Sequence, residues 1–191
     1  MTVANDIRAF LKSPTGQVSK ISNEQALQVE LGIFFREKGY KVTFEKKILV
    51  PRINTSFKSP KSRVDLFIKK DNHKTAIELK TPLNGRHPES LFDYCKDIEF
   101  VEAIKKAGKA DGGICLLLTN DQVFWEDSGR GSKIHNMFRT VKGKINGLIH
   151  KPTGPKKPHI FIEGQYFPFK LWNSFVSEKL MAKAQYLLIE I

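Results

Sequence analysis

Residues 112–119 read GGICLLLT, and no other stretch of the chain limits the fold as tightly. Eight residues without a charge and without polar–apolar alternation fit a strand covered on both faces. Such a strand lies inside a sheet with helices packed on each side, which predicts an α/β chain.

The flanking segments supply the partners for that strand. Residues 3–12 read as a short helix, broken by Ser13-Pro14-Thr15-Gly16. Ser22-Asn23-Glu24-Gln25 fits a capping box, Leu27, Leu31, Phe34 and Phe35 recur at helical spacing, and Gly39 fits the stop. Three strands are then predicted, over 41–50, 63–69 and 74–80, each alternating apolar and polar residues. Asp71-Asn72-His73 is a short polar turn that would pair the second and third as a hairpin. Pro88 to Gly108 carries a helical apolar stripe: Leu91, Tyr94, Cys95, Ile98, Val101 and Ile104. The order is helix, three strands, helix, strand, with a mixed sheet. Gln122 to Trp125 reads as one more short strand. A Gly/Pro/Lys-rich arm follows over 142–158, then a hairpin over 159–170 turning at Glu163-Gly164, a helix over 174–183, and a last apolar strand or tail over 186–191. A length of 191 residues fits one domain, with a core over 22–125 and a basic C-terminal extension over 126–191.

Three residues break the pattern of these strands. Asp65 interrupts Val64-Asp65-Leu66-Phe67-Ile68, and Glu78 and Lys80 interrupt Ala76-Ile77-Glu78-Leu79-Lys80. The two-residue strand period points Glu78 and Lys80 to one side, opposite Ile77 and Leu79. Pairing through the Asp71 turn would set Asp65 beside Glu78. A lone buried charge is costly unless it is paired or bound to a metal. Magnesium takes oxygen ligands and commonly only one or two protein carboxylates. Asp65, Glu78 and the Leu79 carbonyl could supply three positions, with Lys80 beside them to hold water or oppose phosphate charge.

Arg63-Val64-Asp65, twelve intervening residues, and Glu78-Leu79-Lys80-Thr81-Pro82 together resemble the PD-(D/E)XK, or restriction-endonuclease-like, nuclease superfamily. Val64 stands where the motif's proline would be. The resemblance spans residues 22–119 and implies an α-β-β-β-α-β core, Mg²⁺ with Mn²⁺ as a substitute, and hydrolysis of DNA phosphodiester bonds. It implies Asp65 and Glu78 as metal ligands and Lys80 as the catalytic lysine. The segment from Asn23 to Tyr40 looks like the N-terminal helix of type I restriction-subunit nuclease domains. On that match Glu24 assists the site, with Glu30 the alternative. A junction-resolving or repair nuclease of the same fold and a non-catalytic DNA-binding protein are the rival readings.

Charge bears on partners. The chain carries a net +12, which favours a polyanion. Residues 41–74 hold ten basic against three acidic residues and residues 133–170 eight against one, while 84–127 hold five against nine. This polarity predicts a phosphate-binding face, for which Lys58, Lys61, Arg63, Arg86, Lys142, Lys144, Lys156 and Lys157 are the candidates. His87 lies just past Lys80, whereas Asp97 and Glu99 are expected on the exposed face of their helix. Ser128 to Lys133 reads as a flexible loop without P-loop spacing. Trp125, Tyr166, Phe167, Phe169 and Trp172 read first as core. Cys95 and Cys115 form neither a disulfide framework nor a zinc site, so a reducing, cytoplasmic setting is expected, without membrane or small-molecule cofactor. Cutting both strands of a duplex would call for a homodimer.

Overall fold

The computed structural model describes residues 2–13, 21–51, 62–82, 87–127, 129, 132–155, 158–175 and 184–191. Its strands are β1 (Lys41–Lys47), β2 (Arg63–Lys70), β3 (His73–Lys80), β4 (Gly112–Thr119), β5 (Ile145–His150), β6 (His159–Tyr166), β7 (Trp172–Phe175) and β8 (Ala184–Glu190). Its helices are α1 (Val3–Lys12), α2 (Glu24–Glu37), α3 (His87–Lys106) and α4 (Lys133–Arg139). Six strands form one mixed sheet in the order β1-β2-β3-β4-β8-β7, and β5-β6 is a separate hairpin. Only β3 and β4 run parallel, as expected of strands joined by a crossover helix.

β4 is buried along its length, as its sequence requires. Ile114, Leu116 and Leu118 join the core beneath α1 and α2, with Leu66, Ile68, Ile77 and Leu79 from neighbouring strands. Cys115 and Leu117 join the other core, beneath α3, with Phe67, Ala76, Leu187 and Ile189. β8, antiparallel to β4 from Ile114↔Glu190 to Thr119↔Gln185, supplies the far side of both layers. Gly113 marks the closest approach of α3. A Cβ there would stand 2.0 Å from Val101 Cγ1.

Several expectations are corrected. The cap of α2 is Asn23 rather than Ser22, its side chain accepting from Ala26 N–H. Asp121 accepts from Val123 N–H and winds Gln122–Phe124 into a 3-10 turn rather than a strand. The stretch 142–158 contains β5, paired with β6 from Ile145↔Tyr166 to His150↔His159. β6 continues through Glu163-Gly164, where its register with β5 shifts between Gly147↔Ile162 and Ile145↔Tyr166. Gly164 is there for space, since a Cβ would stand 2.6 Å from Tyr166 Oη and 2.8 Å from Glu102 Oε1. Residues Ser174 and Phe175 belong to β7, not to a helix; 176–183 lie outside the described residues.

Two α3 carboxylates close the free edge of β6. Glu102 accepts from Glu163 N–H at 3.0 Å, Gly164 N–H at 2.8 Å and the Tyr166 hydroxyl at 2.9 Å. Glu99 accepts from Phe161 N–H at 3.5 Å, and burial pushes its carboxyl up to about 7. Glu99 is therefore half-buried on the edge of β6, not on an exposed helix face. Helix carboxylates here do what a further strand would do, covering open N–H groups.

Two outcomes are expected. Gly113→Ala should destabilise the fold by about 1–3 kcal/mol through overpacking, and in urea unfolding the Val101→Ala/Gly113→Ala double variant should lose less than the sum of the singles. His135 is buried, its Nδ1 accepts from Ser132 N–H at 3.2 Å, and burial holds its pKa down to about 4. The folded ring stays neutral where the unfolded ring takes a proton, so this group removes stability as pH falls from about 6.5 toward 4, by at most roughly 3 kcal/mol. Glu99 acts in the opposite sense as pH rises toward 7. The clean measurement is thus the stability difference between wild type and His135→Gln across pH 4–7, which should shrink toward acid.

Candidate active site

The strand ladders are interrupted where Asp65 lies. β1 and β2 pair from Lys41↔Lys69 to Lys47↔Arg63 but skip Glu45 opposite Asp65. Glu45 adopts φ +49°, a left-handed conformation rare for a non-glycine residue, while the register stays the same on either side of it. On its other edge β2 pairs with β3 only as far as Leu66↔Ile77. Continuing that register would set Asp65 opposite Glu78 and Val64 opposite Leu79. Instead Leu79 N–H donates to Asp65 Oδ2 at 2.7 Å. The aspartate is thereby aimed between the strands rather than off a sheet face.

Helix α2 completes this arrangement. Glu24 and Gln28, one turn apart, share a helix face. Gln28 Nε2 donates to the Asp65 carbonyl at 2.8 Å and to Glu45 Oε1 at 2.8 Å, serving both strands at the skipped pair. Glu24 Oε2 accepts from Thr81 N–H at 3.2 Å, just past the end of β3. Lys80 Nζ lies 3.7 Å from Glu24 Oε1 and 3.6 Å from Asp97 Oδ2. Glu78 and Asp97 are buried, at 1% and 3% exposure. The Glu24 carboxyl is raised above its ordinary range, chiefly by burial and further by the charges of Asp65 and Asp97, against the pull of Lys80 and of the Thr81 N–H.

Of the expected site residues, Asp65, Glu78, Leu79, Lys80 and Glu24 thus converge on the C-terminal end of β3. Glu30 is about 120° around α2 from Glu24 at 100° per residue. Asp97 is a correction: it faces inward and holds Lys80, where an exposed helix position was expected. Its signal was its place on the apolar stripe, three residues after Tyr94 and four before Val101. Gln28 and Glu45 were also missed; Gln28 sits one turn beyond Glu24, whereas nothing in the sequence announces the left-handed backbone at Glu45. His87 begins α3 and contacts Asp121 through Nε2 and Oδ2. Arg63, Lys142 and Lys144 are exposed, while Lys58, Lys61, Arg86, Lys156 and Lys157 lie outside the described residues. Trp172 donates from Nε1 to the Phe138 carbonyl and Trp125 packs on its ring, whereas Phe167 and Phe169 are 46% and 41% exposed.

The donor set suits a small hard cation. Asp65 and Glu78 are the two carboxylates such an ion commonly takes. The Leu79 N–H points to the Asp65 edge, and in a strand the carbonyl of the same residue points to that edge too. No group of three or more His, Cys, Asp or Glu side chains arranged to hold a metal occurs among the described residues, so an ion here would draw on backbone and water oxygens. Neither Cys95 nor Cys115 bears on it, both being buried free thiols. Among the described residues no helix is long and apolar enough to cross a membrane. Comparison with protein-family models, with curated proteins and with solved structures gives no match.

Removing one member of the Lys80–Asp97 pair takes a charge partner from the other. Asp97→Ala should lower stability by about 1–3 kcal/mol, less than for a fully buried pair because Lys80 keeps some solvent. Lys80→Ala should cost measurably less in the Asp97→Ala background than alone when both are followed by chemical denaturation.

Proposed function

We propose that the protein is a Mg²⁺-dependent endonuclease acting on DNA, with a restriction-endonuclease-like core running from α2 through β4. One observation carries this reading: where β2 and β3 part, the Asp65 carboxylate is fixed by the N–H of Leu79, the residue between Glu78 and Lys80. The element order α2, β1–β3, α3, β4 is the one the PD-(D/E)XK resemblance implies, which supports the reading further.

In this reading Asp65, Glu78 and the Leu79 carbonyl hold the cation. When bound, it would acidify a water and oppose charge on the scissile phosphate. The protein's own contribution is positional. Asp65 is held by one backbone N–H through its side chain and by Gln28 through its carbonyl, so its carboxylate needs little reorganisation. Lys80, steadied between Glu24 and Asp97, presents its ammonium to the attacking water or to a phosphate oxygen. Cutting both strands of a duplex takes two such sites, and a two-fold homodimer is the working form we infer.

Supercoiled plasmid nicking tests the assignment. Wild type should nick with Mg²⁺ or Mn²⁺ and stop with EDTA. Asp65→Ala and Lys80→Ala, verified as folded, should each slow nicking by about 10²-fold or more. Equal nicking by all three proteins would identify a contaminant and overturn the proposal.

A further inference from the structure

Three lysines stand in one row across the sheet. The register places Lys41 opposite Lys69, and Lys69 opposite Lys74, on β1, β2 and β3. Facing side chains on adjacent strands are about 5 Å apart at Cβ, and like charges directly opposite are destabilising. Lys41 and Lys74 are exposed and Lys69 is half-buried. The cation cluster extends one step further. Lys46 Nζ lies 3.5 Å from the centroid of the Phe67 ring, on the strand between Lys41 and Lys74 in the sheet. Its pKa is lowered, first by burial and then by the charge of Lys74.

Self-repulsion of this kind is relieved by a bound polyanion, and the position of the row says which. Lys74, Ala76, Glu78 and Lys80 alternate along one face of β3. Four residue steps lead from Lys74 to Glu78, about 13 Å at strand rise, the axial span of roughly four phosphates of one DNA strand. We propose that the Lys41–Lys69–Lys74 row, with Lys46 beside it, is a contact track for the phosphodiester backbone of duplex DNA, set beyond the part of this face that α3 covers at Phe67 and Ala76 and away from the Asp65–Glu78 end of the strands. This deepens the nuclease reading and rests on it for the direction in which the duplex runs. The track lies on the sheet itself, apart from the loop and arm lysines singled out in the sequence.

The test is equilibrium binding of a 30-base-pair duplex to the full chain in EDTA over a salt series. Changing Lys41, Lys69 and Lys74 together to Gln should lower affinity about tenfold or more near 0.1 M salt, and should reduce the slope of log K against log salt by about 2–3. The melting temperature should stay the same or rise, because repulsion is removed. A control triple at Lys105, Lys109 and Lys170, also exposed, removes equal charge elsewhere. Equal losses in the two triples would overturn the track in favour of a net-charge effect, as would an unchanged salt slope in the row triple. Plasmid nicking separates the two proposals. Asp65-dependent nicking with an unchanged slope removes the track and leaves the nuclease. Loss of binding in the row triple, with nicking indifferent to Asp65, keeps the DNA track and removes the nuclease.

Discussion

The burial of β4 on both faces is the constraint from which the rest of the structure follows. A strand with Ile114, Leu116 and Leu118 on one side and Cys115 and Leu117 on the other must be covered twice. α2 and α3 therefore lie on opposite sides of the sheet. β3, parallel to β4 and next to it, is the strand both layers can reach at its end. Glu24 comes to Lys80 from α2 and Asp97 comes from α3. The lysine is gripped across the sheet by two helices that touch it because β4 needed them both. A change that loosened either layer would thus be felt at Lys80 without altering any residue there.

The interrupted ladder is the second constraint. Regular pairing would have given Asp65 a partner on each side and sent its side chain off the sheet. The left-handed backbone at Glu45 and the parting of β2 from β3 remove both partners. The polar groups left over are answered locally, by Gln28 at the Asp65 carbonyl and by the Asp65 carboxylate at Leu79 N–H. Backbone irregularity of this sort persists only where surrounding contacts over-determine it, and it gathers at functional sites. Here the surrounding contacts are Phe44↔Leu66 and Lys46↔Val64, regular pairs on either side of the irregular position.

Much of this was legible in the sequence. Asp65, Glu78 and Lys80 could be read because a two-residue period leaves no ambiguity about which residue in an apolar strand is out of place. Asp97 was harder, since a helix stripe is broad and an acid at its border passes for a solvated residue; the half-buried lysine that gives it a reason lies seventeen positions away. The interruption at Glu45 was not legible at all. Glu45 is an ordinary residue in an alternating run, and its left-handed conformation goes with the skipped pair and with the Gln28 side chain bonded to its carboxylate. β6 was misread as a hairpin because Gly164 followed Glu163 in the manner of a turn. The glycine instead answers a steric demand from Tyr166 and Glu102, which only the assembled fold supplies.

Local and global charge have opposite signs, and this bears on the chemistry. The chain as a whole carries +12, yet the end of β3 sets Glu24 and Asp97 against one ammonium, with Asp65 near enough to raise Glu24 and Glu78 two residues before the lysine. Two like charges 4 Å apart repel by about 4 kcal/mol at an effective dielectric of 20, so a phosphate would be turned away from this end of the sheet by the carboxylates alone. Lys80 offsets only part of that, being already shared between Glu24 and Asp97. A divalent cation between Asp65 and Glu78 would reverse the balance, turning a patch that rejects phosphate into one that binds it. Basic residues such as Arg63 and Lys47, opposite one another at the same end of β1 and β2, could then hold the flanking phosphates. In that arrangement the cation would control access as well as reactivity: the same carboxylates that demand it would keep the substrate out until it arrives.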